Sequence, residues 1–165
     1  MLHSVSLAER IAYGRPADPI IDDTPVRVAD RPKTALVGRV LLAAIFVMSG
    51  IAKLTDTAGT VAHMEAAGVP AADVLAVIAG IGEIAGGLAL VFGFLTRIGA
   101  LGLIAFMIPT TIIFHGFWRF EGAEQELQMI QFMKNLAILG GLFTVLAYGP
   151  GRHSVDKKIR EPIQP

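Results

Sequence analysis

The chain has 165 residues, of which 53% are hydrophobic and only 17% charged, and its mean hydropathy is +0.60. Soluble domains carry about 25% charged residues, so this composition disfavours a water-soluble globule. Fourteen basic residues balance fourteen acidic ones, leaving no basic field for nucleic acid. The absence of cysteine removes disulfides, thiolate metal sites and dithiol redox relays.

Residues 1–33 hold Pro16, Pro19, Pro25 and Pro32 among closely spaced charges, which reads as a disordered or loosely docked tail. No apolar core followed by small residues is present there, so a cleavable signal peptide is not expected. From Thr34 onward four apolar stretches follow, at 34–54, 71–95, 97–117 and 127–148. Each is close to the ~20 residues that carry a helix across ~30 Å of hydrocarbon. They are apolar nearly all round, unlike the striped helices of soluble bundles. The expectation is an all-α polytopic membrane protein with a four-transmembrane-helix bundle over 34–148 and a tail at 149–165. Between the first two spans, Val61 and Met64 are placed to let a short helix lie on the membrane surface.

Lysine and arginine set the orientation. Arg10, Arg15, Arg27, Arg31, Lys33, Arg97, Arg152, Lys157, Lys158 and Arg160 fall on one side, against Lys53 and Arg119 on the other. The positive-inside rule then places both termini in the cytoplasm. Arg39, Arg97 and Arg152 read as interfacial anchors whose long side chains reach head groups.

Ionisable groups inside the spans cost ~2.5–3.5 kcal/mol each on insertion scales, so each needs a partner or a use. Glu83 sits near the middle of the second span, on a face made of Ala76, Ala79, Gly80, Gly86 and Gly87 that admits another backbone closely. The fourth span carries Gln128, Gln131, Lys134 and Asn135 at helical spacing. The first carries Ser49, Gly50 and Lys53, and the third His115 beyond Pro109. The spacing predicts a polar pocket in the outer half of the bundle, bounded by Glu83, Lys134, Asn135, Gln131, Lys53 and His115, with Lys134 as the partner of Glu83. Two readings stay open: a binding pocket, or a buried Glu83–Lys134 ion pair that only fixes packing.

These residues resemble the DoxX family of small four-helix bacterial membrane proteins. The resemblance covers about residues 36 to 156. It rests on Arg39, Gly50-Ile-Ala-Lys53, Gly80-Ile-Gly-Glu83-Ile-Ala-Gly86-Gly87, Gly93-Phe-Leu-Thr96-Arg97, Lys134-Asn135, and Gly149-Pro150-Gly151-Arg152-His-Ser154-Val-Asp156. It implies a multi-pass protein of the bacterial inner membrane. It also implies a link to oxidoreductase systems, as a membrane subunit of thiosulfate:quinone oxidoreductase or as the anchor of soluble sulfurtransferase or superoxide dismutase partners.

Three functions follow as alternatives. The first is a redox-complex subunit that binds quinone or anchors a soluble redox partner, with Glu83, Lys134 and His115 as proton-exchanging groups. The second is a small proton-coupled carrier built on Glu83. The third is a structural or assembly subunit whose charged tails, such as Asp18–Asp23 and Lys157–Arg160, dock other chains. No metal or covalent cofactor is expected, and catalysis by this chain alone is not. The expected partners are the bilayer, a quinone, soluble redox or sulfurtransferase subunits, and further copies in an oligomer.

Overall fold

The computed structural model describes residues 32–160, all helices and short connections. The N-terminal segment with its Asp18–Asp23 cluster lies outside the described residues, as do 161–165. Helix α1 spans Pro32–Thr55, α2 Thr57–Ala66, α3 Ala72–Phe92 and α4 Thr96–His115. A 3₁₀ turn follows at Phe117–Arg119, then α5 at Gly122–Tyr148 and the short α6 at Val155–Arg160. Four of these helices are long and apolar enough to cross a membrane. α5 begins several residues before the apolar stretch, because Gly122, with φ +60°, lets the chain turn into a helix at once. The short helix expected between the first two spans is α2, and its N-cap is Asp56, whose Oδ1 accepts from Gly59 N at 3.0 Å.

Large apolar side chains are exposed on every span, among them Leu41, Ile78, Ile98, Ile130 and Phe143. On a four-span bundle such a surface faces acyl chains. The interior is small and built of Ala43, Phe46, Leu90, Ala100, Leu103, Ile104, Met107 and Leu142. Its tightest seam joins α1 to α3. A Cβ on Gly50 would come within 2.5 Å of Gly80 O, and one on Gly80 would strike Leu54. Neither position has room for a side chain, so the backbones approach as small-residue faces allow.

The end of the bundle opposite α2 is closed by the segment after α5. Gly149 and Gly151, both with positive φ, turn the chain back under the helices. The carboxylate of Asp156 then accepts from Leu95 N (2.8 Å), Thr96 N (3.0 Å) and Thr96 Oγ1 (3.0 Å). It thereby satisfies the first amides of α4, a task that the α4 N-cap, Leu95, cannot perform with its own side chain. Asp156 N donates to Gly93 O at 2.8 Å. Gly93 has φ +68°, and a Cβ there would lie 2.5 Å from Ser154 Cβ and 3.0 Å from Arg39 Nη1.

Arg39 departs from expectation. It is 3% exposed instead of reaching head groups. Its guanidinium donates to Pro150 O, to His153 O at 2.9 Å and to Val91 O at 3.3 Å. Three carbonyls brought in by α3 and the C-terminal segment replace the phosphate contacts of a snorkelling arginine. Arg97 and Arg152 are exposed at the same end, and Arg97 Nη2 donates to Ala147 O at 3.1 Å.

Candidate functional site

The α1–α3 seam decides the environment of Glu83. With Gly50 against Gly80, the next turn of α1 brings Ser49 and Lys53 opposite the carboxylate. Lys53 Nζ lies 2.9 Å from Glu83 Oε2 and 3.1 Å from Oε1. Ser49 Oγ accepts from Lys53 Nζ at 2.7 Å and stands 3.3 Å from Glu83 Oε1 as a donor. The Glu83 side chain is 5% exposed and that of Lys53 25%. This is the ion pair among the described residues, and its amine comes from α1.

Lys134 is elsewhere. It is exposed on α5 and donates to Gln131 Oε1 one turn earlier. The physical reason is the helical step of ~100° per residue, which turns the neighbouring Asn135 inward and Lys134 away. Asn135, buried, donates through Nδ2 to Thr111 Oγ1 at 3.1 Å, and that hydroxyl donates to Met107 O at 2.7 Å. Of the six residues expected to meet, the structure therefore brings Lys53, Glu83 and His115 to one cavity. Asn135 lies in the α4–α5 contact, Lys134 is exposed, and Gln131, half-buried, does not line the cavity.

That cavity is a groove of about 650 Å³ between α3 and α4, covered at one end by α2. Along α4 it runs from Gly99 to His115, about 24 Å at 1.5 Å per residue. Gly82 and Gly102 line it, and a Cβ at either would meet nothing within 4 Å. The walls near Gly86, Gly99 and Leu103 are apolar. Thr60, His63, Thr110 and His115 contribute polar groups toward the α2 end, and Lys53 and Glu83 contribute nearer the middle. Exposed Ile78 and Leu75 form part of the lining, so the groove is reached from the side that faces lipid.

His115 is oriented by a chain of contacts. Gln128 Nε2 donates to Glu124 Oε1 at 2.7 Å, which leaves Gln128 Oε1 to accept from His115 Nδ1 at 2.9 Å. A proton on Nδ1 makes Nε2 the remaining acceptor of the neutral ring. His63 on α2 stacks on Phe114, with centroids 5.0 Å apart.

Sequence reasoning missed Thr60 and His63, although with Met64 they follow one another at helical spacing behind the Asp56 cap. It also passed over the match between Gly50 and Gly80, the signal that would have put Lys53, and not Lys134, beside Glu83.

The DoxX family profile matches residues 34–116, which contain α1 from its third residue through α4 and with them the whole groove. The chain belongs to the DoxX family. Among its relatives, the inner membrane protein YqjF of Escherichia coli is 40% identical over 126 residues, covering 76% of this chain and 92% of the relative. The inner membrane protein YphA of the same organism is 33% identical over 130 residues, covering 79% and 93%. The uncharacterized membrane protein Rv3486 of Mycobacterium tuberculosis is 29% identical over 146 residues, covering 79% and 84%. No solved structure matches. Within this DoxX protein the groove joins motifs that lie apart in sequence, Lys53 closing α1 and Glu83 at the centre of the glycine-rich α3.

Proposed function

We propose that this DoxX protein is a bacterial inner-membrane subunit that holds a quinone in the α3–α4 groove on behalf of an oxidoreductase system, with both termini in the cytoplasm. One observation carries the reading: the groove is apolar along most of its length, opens toward lipid, and is met by the Lys53–Glu83 pair near its middle and by His115 at its α2 end. A long apolar groove with a few polar groups at set places fits an amphiphile with a compact oxygen-bearing head and a hydrocarbon tail. The open space beside Gly82 and Gly102 admits a flat ring or a chain without displacing backbone.

A bound quinone supplies two-electron, two-proton chemistry inside the bilayer, its electrons coming from a redox-active partner subunit. Lys53, held in place by Glu83, is the cation on this chain suited to lie beside a carbonyl oxygen, and His115 Nε2, an acceptor in the neutral ring, suits the hydroxyl of the reduced form. The same pair weakens the case for a proton-coupled carrier. Both oxygens of Glu83 are engaged by Lys53, whereas a carrier carboxylate must load and release a proton freely.

The test is the quinone content of the protein purified in mild detergent, measured by mass spectrometry against bulk membrane lipid. Wild-type protein is expected to retain quinone. Gly102→Leu, which fills the groove where nothing stands, should lose it while the protein stays folded. Equal content in both refutes the assignment.

A further inference from the structure

At the end of the bundle opposite α2, a second cavity of about 460 Å³ lies between the start of α4 and the end of α5. Its charged lining comes from Arg97, Lys157 and Asp156, with the glycine turn Gly149–Gly151 as its floor. We propose that this cavity is a binding site for the headgroup of an anionic phospholipid, with Arg97 holding the phosphodiester and the charge of Lys157 beside it.

The charges point to an anion. The carboxylate of Asp156 is engaged by Leu95 N, Thr96 N and Thr96 Oγ1, so it is directed into the helix start. Arg97 spends one N–H on Ala147 O of the five that a guanidinium offers. The fork lies against Gly149, at 3.6 Å from Nε and 3.7 Å from Nη2 to the position a Cβ would take. That edge of the guanidinium is turned to the glycine, so its Nη1 side, with donors to spare, is the one that meets phosphate oxygens.

The surroundings point to a lipid and not to a soluble phosphate. Leu95, Ile98 and Tyr148, which also line this cavity, are 50%, 67% and 80% exposed. Apolar surface beside two cations is covered when acyl chains run down α4 from a headgroup at its start. The level agrees, since α4 begins and α5 ends here and an exposed tyrosine marks the depth of head groups. The site is separate from the quinone groove: the two share no lining residue.

Native mass spectrometry of the full chain in detergent tests this, with phosphatidylglycerol, phosphatidylcholine and inorganic phosphate as separate probes. Phosphatidylglycerol should be retained over phosphatidylcholine, and inorganic phosphate should neither bind nor compete. A basic residue near an anionic surface contributes ~1 kcal/mol, about five-fold in affinity. Arg97→Gln and Lys157→Gln should each weaken phosphatidylglycerol binding about five-fold. Arg97→Lys, which keeps the charge, should restore most of the loss and so exclude simple misfolding, and Arg119→Gln at the opposite end should change nothing. Equal retention of the two lipids, equal binding by wild type and Arg97→Gln, equal loss in Arg119→Gln, or binding of inorganic phosphate alone would each overturn the proposal.

Discussion

Replacing Lys53 with methionine keeps the length and packing of its stem while removing its charge. Glu83, whose side chain is 5% exposed, would then keep Ser49 Oγ at 3.3 Å as its hydrogen-bond partner. The attraction that is lost is about 6 kcal/mol at 2.9 Å and an effective dielectric of about 20. Desolvation of both groups already offsets much of it, so the observable loss is the ~3–5 kcal/mol that follows when a buried pair is broken on one side. Glu83→Leu should cost a comparable amount by stranding the ammonium, less because Lys53 is 25% exposed. The double variant Lys53→Met, Glu83→Leu leaves no unpaired charge and should return to within ~1 kcal/mol of wild type. Unfolding of the four proteins in mixed detergent and dodecyl sulfate, followed by circular dichroism, gives the coupling directly. Losses that simply add in the double variant would refute the claim that these two side chains form one energetic unit.

The other predictions concern separate parts of the bundle. Lys134→Met should change stability by no more than ~0.5 kcal/mol in the same assay, because the amine is exposed and its hydrogen bond is to Gln131 on its own helix. Gly50→Val should prevent the close approach to Gly80, cost more than ~3 kcal/mol and abolish quinone retention, as read by dodecyl sulfate unfolding and mass spectrometry. Asp156→Ala should cost ~1–2 kcal/mol, the range of a lost helix cap, and speed proteolysis at the α3–α4 turn. A reporter fused after the last residue should be active only in its cytoplasmic form if the excess of Lys and Arg sets the orientation.

The four spans were readable because each is a long apolar run and bilayer thickness fixes the length required. The small face around Glu83 was equally plain: Ala76, Gly80 and Gly87 repeat along it, and α1 does pack there. The identity of the opposing amine was not. Counting rise from the helix ends puts Lys53 near a rim and Glu83 about 16 Å from its own, which favours Lys134. The count fails because α1 and α3 are offset along the bundle. Gly50 lies about 7 Å from the end of α1, and its partner Gly80 about 12 Å from the start of α3. Lys53 also leans back toward the start of its helix, and the two shifts together close the gap. Arg39 and the run from Gly149 to Asp156 both stand out in the sequence as motifs. Their contact spans more than a hundred residues, and no periodicity or spacing encodes a pairing at that range.

The fastening of Arg39 has a consequence for biogenesis. A ribosome delivers α1 to the insertion machinery early, yet two of the three carbonyls that receive its guanidinium belong to Pro150 and His153. Until those residues leave the exit tunnel, the first helix carries an uncompensated cation and the fourth begins with bare amides. Translation that stops at Tyr148 would yield every membrane-crossing helix and still leave a product for quality-control proteases to clear.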